Sequence, residues 1–169
     1  ISDGNALVMQ YHYSKRIPAN IQFCGTLHKS GGLFGDLGDC VAACYFSVPP
    51  TRWTESVLEL SRLVRRDDLQ FPLTKLISWS CKKLKTKGAD LIVSFADHGE
   101  GHHGGIYQAS SSNYTGKRDA RMDGLLVNGA FVPGRSCNSL WGTRSPQRLK
   151  AIKPGWDIQP HYDVGKHLY

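Results

Sequence analysis

The sequence predicts a mixed α/β domain, a central sheet with helices on both faces, and three observations carry that prediction. Glycine and proline are frequent, 18 and 8 of 169 residues, which favours a loop-rich chain over a helical bundle. Apolar runs of strand length recur at 20–28, 39–48, 57–64 and 91–96, each bounded by turn residues. Between the last two lies one clear amphipathic helix, and a strand–helix–strand order of this kind builds a sheet covered by helices.

Taken in order, Asp3 is expected to cap a short helix reaching Gln10 or Tyr11. The segment HYSKRIP, His12 to Pro18, breaks it, because the residue before a proline is pushed out of the helical region. Asn20 to His28 reads as a strand, Lys29 to Gly35 as a glycine-rich turn, and Asp39 to Val48 as a buried strand ending at Pro49-Pro50. Thr51 to Ser56 suits a single helical turn, and Val57 to Val64 a strand. Pro72 opens the helix, since its missing N–H would be unpaired in a first turn anyway. Leu73, Leu76, Ile77 and Leu84 form its apolar stripe, Lys75, Lys82, Lys83 and Lys85 its polar side, and Gly88 its end. Leu91 to Ala96 is expected as one buried strand and His102 to Ser112 as a helix. Leu125 to Val132 contains Asn128-Gly129, a strong hairpin signal. From Trp141 onward the chain reads as irregular, basic and proline-rich, with an edge strand at Lys166 to Tyr169. No repeat or low-complexity segment interrupts this order.

Composition bounds the function classes. Hydrophobic residues at 40% and charged residues at 21% are ordinary for a globular domain of this length. The apolar runs are too short to cross a bilayer, and no basic stretch followed by an apolar one opens the chain, so neither a membrane span nor a secretion signal is expected. Five cysteines without a CxxC favour reduced thiols over a disulfide framework or a zinc site. The net charge of +7 and isoelectric point near 9.3 suit a polyanionic partner.

Chemistry is expected where buried strands end. Asp97, His98, Glu100, His102 and His103 place carboxylates and imidazoles within seven residues after the 91–96 strand. Such a set suits zinc or non-haem iron, though its spacing is not that of a known helical metal motif. The plainer reading is a polar loop with one histidine capping the next helix. Arg65-Arg66-Asp67-Asp68 precedes the helix at Pro72, whose N-terminus suits phosphate. The plainer reading there is arginines solvating a loop beside two aspartates. His12 between Tyr11 and Tyr13, and Tyr107 and Tyr114 in the next segment, are either site or structural aromatic residues.

HYSKRIP, LELSRLVRRDD (Leu58 to Asp68) and GHHGGIYQASSSNYTG (Gly101 to Gly116) together resemble the Mom DNA-modification proteins of bacteriophages, over roughly His12 to Asn138. That resemblance implies a fold like the GCN5-related N-acetyltransferases, with 1–169 as one domain and 139–169 an irregular basic segment packed on it. It implies an enzyme of the bacterial host cytoplasm that converts adenine in DNA to N6-carbamoylmethyladenine and so protects phage DNA from restriction. It implies His12, Asp97, Tyr114 and Tyr107 as catalytic residues, one tyrosine protonating a departing thiolate. Acetyl-coenzyme A is implied as cofactor, contacted by Leu63, Arg65, Gln70, Thr74 and Ser78. The acyltransferase phosphate loop is usually glycine-rich, and this chain has no glycine between Arg65 and Gly88.

The family's product has a CH2 bonded to N6 and a terminal amide, which direct attack on a thioester carbonyl does not give. Either the methyl carbon is activated, at a metal such as iron, or another donor supplies the group. Iron or zinc on His12, His102 and His103 is the metal arrangement implied. The partner implied is double-stranded DNA with a flipped adenine. Arg118, Arg121, Arg135, Arg144, Arg148, Lys150 and Lys153 are expected on phosphates, and Trp53 or Trp141 on the base. An acetyl-coenzyme A-dependent acyltransferase of a small-molecule or protein amine is the competing class. A non-catalytic DNA-binding module is disfavoured, because no helix-turn-helix or zinc-finger pattern is present.

Overall fold

The computed structural model describes residues 1–30, 37–49, 53 and 56–169, apart from the side chain of Glu100. The expected turn at Lys29 to Gly35 and the expected helical turn at Thr51 to Ser56 therefore fall largely outside the described residues. Two compact units make up the chain. The first comprises Ile1–Phe95, Gly104–Thr115 and Leu168–Tyr169, and the second Ala96–His103 and Gly116–His167.

In the first unit, α1 (Ser2–Tyr11) precedes a four-stranded sheet ordered β1 (Ile21–Ser30), β2 (Leu37–Ser47), β3 (Val57–Arg65) and β4 (Leu91–Val93). The first three strands are antiparallel and β3–β4 is parallel. Between β3 and β4 runs α2 (Leu73–Thr86). β2 is buried throughout Val41 to Ser47, which is why it reads as an unbroken apolar run. Ala42, Cys44 and Phe46 join a core with Leu76, Ile77 and Leu84 of α2, while Ala43 and Tyr45 join another with Leu7 and Val8 of α1. The mixed sheet with a helix on each face is thus as the sequence predicts.

Some local expectations are corrected. Asp3 is not the cap of α1; it sits in the first turn, where its charge still favours the positive end of the helix. Leu91 to Ala96 is two strands, β4 and β5 (Phe95–Asp97), because the chain changes partners at Ser94. The Ser94 hydroxyl donates to the Leu60 carbonyl at 3.2 Å and its backbone pairs with Tyr169. The helix expected over His102 to Ser112 is only α3 (Gly105–Ala109). Gly101 and Gly104 have φ of 72° and 70° and Ser111 has φ of 62°, left-handed values that bound a right-handed helix on both sides.

The second unit is built on the predicted hairpin, β7 (Met122–Val127) and β8 (Ala130–Pro133), with Asn128 and Gly129 both left-handed in its turn. The chain after Trp141 is not irregular. α4 (Gly134–Trp141) is followed by α5 (Pro146–Ile152) and β9 (Ile158–Tyr162), which pairs with β7. Leu125, Val127, Cys137, Leu149 and Ile158 form the core between them. β10 (Lys166–Leu168) is not an edge strand, since it lies between β5 and the two-residue β6 (Gly116–Lys117). Asp163 fastens the loop before it. Its carboxylate pairs with Arg118 and accepts the backbone N–H groups of Arg121 and Gly165, each at 3.0 Å. No helix among the described residues is long and apolar enough to cross a membrane.

Candidate functional site

Parallel pairing of β3 with β4 ends at Glu59 opposite Val93. Just beyond that point lies a cleft of about 240 Å³, lined among others by Ser78 and Cys81 of α2, Ser94, Tyr107, Ser110 and Tyr169. Tyr107 is half-buried on α3, its ring 5.3 Å from that of Tyr169, which in turn lies 5.3 Å from Tyr114. Burial pushes the Tyr107 phenol above its ordinary range, and a hydrogen bond with Ser94 only partly opposes this. Burial thus favours the protonated phenol, and Tyr107 lines the cleft. Tyr114 is 49% exposed. Gly104 is required under Tyr169, because a Cβ there would strike the Tyr169 ring and φ is positive as well.

Of the five residues expected on coenzyme A, Ser78 borders this cleft. Leu63 packs against the α2 core, Arg65 ends β3, Gln70 is exposed in the loop, and Thr74 is half-buried in the first turn of α2. Arg66 grips Asp68 in two hydrogen bonds of 3.0 and 2.9 Å and reaches Asp39 at 3.5 Å. The plain reading of that loop thus holds for Arg66. Arg65 is exposed and joins no ion pair among the described residues. The N-terminus of α2 follows that loop and has no side-chain cap, and the Lys75 N–H in its first turn donates to the Pro72 carbonyl at 3.0 Å.

His12 is buried at the end of α1 and its ring stacks on Tyr13 at 4.4 Å. The backbone N–H of Ser14 donates to His12 Nδ1 at 3.1 Å, with the Ser14 hydroxyl at 2.9 Å. A nitrogen that accepts a hydrogen bond carries no proton, so the neutral ring holds its proton on Nε2.

His12 belongs to the first unit, whereas Asp97, His102 and His103 belong to the second. Asp97 is occupied at both oxygens, one accepting the Gly99 N–H at 3.1 Å and the other pairing with Lys166 at 2.7 Å. The rings of His98 and His103 meet at 5.0 Å and those of His98 and His167 at 5.5 Å. Among the described residues no group of three or more His, Cys, Asp or Glu side chains is arranged to hold a metal ion.

Two expected DNA contacts have structural work. Arg118 is committed to Asp163, and Trp141 packs edge-on against Trp156 at 5.7 Å beside the second core. Trp53 is 41% exposed.

A model of the Mom protein family matches residues 2–161. The chain belongs to the Mom protein family. It is thus a Mom-type phage protein of DNA modification. No curated protein matches the chain. For this Mom protein, sequence reasoning missed Ser94 and Tyr169. Ser94 hides inside an apolar run, and Tyr169 reaches Tyr107 across 62 positions, so neither leaves a local signal.

Proposed function

We propose that this Mom protein converts adenine in DNA to N6-carbamoylmethyladenine, with an acyl-coenzyme A arm held in the cleft beside Tyr107. The single observation that carries the reading is the place of Tyr107, whose phenol lines the cleft just beyond the β3–β4 pairing. Were a coenzyme A thioester to break at its C–S bond there, the departing thiolate would need a proton, and the Tyr107 phenol would be placed to give it. The likeness to GCN5-related N-acetyltransferases belongs to this reading. It is supported by the strand–loop–helix β3–α2, with Arg65 and uncapped helix donors suited to a pyrophosphate and Ser78 further along the cleft.

Coenzyme A would contribute an activated acyl group. The residues of this chain would bind its phosphates, line its arm and return a proton to its sulfur. Bonding N6 to the CH2 rather than to the carbonyl carbon still requires activation of that carbon or a different donor of the carbamoylmethyl unit. His12, a donor through Nε2, and Tyr114, half-exposed beside Tyr169, complete the first unit's share of the reading. Adenine N6 is stacked inside a duplex, so the base is taken flipped or unpaired.

Mass analysis of nucleosides from DNA of cells expressing the chain tests this. A deoxyadenosine carrying a carbamoylmethyl group supports it. An N6-acetyl product, which lacks the amide nitrogen and so differs in mass, would leave only plain acyl transfer. Unmodified DNA beside folded protein would refute it.

A further inference from the structure

The outward face of α2 is positive from end to end. Lys75, Lys82, Lys83, Lys85 and the capping Lys87 are all exposed, and Leu73–Thr86 contains no Asp or Glu. Helix stability alone does not favour this pattern, since the macrodipole rewards acids in the first turn and cations only in the last. Lys75 stands in the first turn, where it opposes the dipole. None of these lysines joins an ion pair among the described residues. Within this cationic face sits Trp79, 48% exposed and four residues from Lys75 and from Lys83, so all three share one side of the helix. Lys83 lies 6.0 Å from the indole centroid, Phe23 of β1 6.2 Å from it, and Lys87 5.7 Å from Phe23. The surface thus alternates ammonium groups with aromatic rings.

We propose that this face of α2 is a docking surface for single-stranded DNA, with the lysines on phosphates and Trp79 stacked on a base. Ammonium groups alone would attract any polyanion, but an exposed indole among them adds a platform that every base fits. Lys75 and Lys83 stand about 12 Å apart along the axis, enough for one strand to follow the helix. The core side of α2 is already filled, so the helix has no spare apolar face with which to lie in a membrane. The inference rests on DNA being the partner and goes beyond the modified base, since it concerns how a strand is held along α2, whose Lys82 also borders the cleft.

The probe is a labelled oligodeoxythymidine, which lacks adenine and so isolates strand binding from base modification. Anisotropy titrations at several salt concentrations compare the wild-type protein with Trp79→Ala, Trp79→Phe and Lys75→Ala/Lys83→Ala, each checked for an unchanged thermal melt. The expected results are about tenfold weaker binding for Trp79→Ala, from loss of a stacked base, and near wild-type binding for Trp79→Phe. The double lysine variant should flatten the slope of log affinity against log salt by about 1.4, from two lost phosphate contacts on a single strand. Variants that bind oligodeoxythymidine with wild-type affinity and slope would overturn the surface, even if the protein still modified DNA. Conversely, binding that weakens as expected in a protein that modifies no adenine would sink the catalytic reading and leave the surface standing. Wild-type protein that binds anionic phospholipid vesicles but not the oligonucleotide would also overturn the proposal.

Discussion

Ser94 and Tyr169 exchange two backbone hydrogen bonds of 3.0 Å, and this pair closes one wall of the cleft in which Tyr107 sits. The Ser94 side chain ties the same point to Leu60 of β3. One serine therefore fixes where the sheet splits, holds Tyr169 in place and meets the Tyr107 phenol.

Removing only the phenol oxygen should separate chemistry from folding. Tyr107→Phe is expected to keep the melting temperature within a few degrees and to lower the yield of modified deoxyadenosine about 10²–10⁴-fold, the range typical of a lost acid. Tyr114→Phe, at a more exposed ring, should have the smaller effect. Equal losses in the two variants would point to the aromatic stack rather than to a single proton donor.

The two adjacent arginines should behave differently. Arg65→Ala is expected to weaken coenzyme A binding by about 1.5–3 kcal/mol, measured by calorimetry, because it removes a charge-assisted phosphate contact. Arg66→Ala breaks the grip on Asp68 at an exposed loop and should change stability little. A larger loss of binding from Arg66→Ala would reverse the assignment.

Gly104 offers a test of the Tyr169 wall. Gly104→Ala forces an L side chain into a left-handed backbone, about 1–2 kcal/mol by itself, and pushes against Tyr169 as well. Lower stability and lost activity are expected together. Gly105→Ala, where a Cβ meets nothing, should be tolerated.

In the second unit, burial alone would raise the Asp163 carboxyl, but Arg118 and two backbone N–H groups outweigh it and bring it down from 3.8 to about 2. A carboxylate lowered in the folded state stabilises above its unfolded value and loses that contribution as pH falls. Stability should thus decline between about pH 4 and pH 2. Asp163→Asn is expected to flatten that decline and to cost about 1.5–3 kcal/mol at neutral pH, both measured by denaturant titration. An unchanged acid limb would contradict the role given to Asp163.

Much of this was legible in the sequence because the signals were local. Proline before α2, its apolar stripe and Gly88 after it mark a helix, and Asn128-Gly129 marks a hairpin. β2 is apolar on both faces because a helix covers each. What stayed hidden was long-range or masked by composition. Ser145-Pro146 caps and opens α5, with the serine hydroxyl accepting the Arg148 N–H at 3.4 Å, yet the surrounding basic and proline residues suggested irregular chain. Tyr107 and Ser78, named from the sequence, both border the cleft, whereas the place of Tyr169 depends on a pairing with Ser94 that no window of sequence contains. The histidine-rich loop suggested metal by residue type alone, and the hydrogen bonds these side chains make are not legible in a sequence window. His12 spends its Nδ1 lone pair on Ser14, and Asp97 spends both oxygens on Gly99 and Lys166.

The His12 assignment can be checked directly. Nitrogen chemical shifts of the labelled protein near pH 8 should give Nε2 as the protonated nitrogen and Nδ1 as the bare one. The opposite tautomer would return a lone pair to Nε2 and with it a ligand or base role for His12.

The most direct test of the central claim is the nucleoside composition of DNA from cells expressing this Mom protein, compared with cells expressing Tyr107→Phe. An N6-carbamoylmethyl deoxyadenosine is expected in the first and its near absence in the second, with both proteins folded. Unmodified deoxyadenosine in cells with folded wild-type protein, or equal modification by the two proteins, would contradict it.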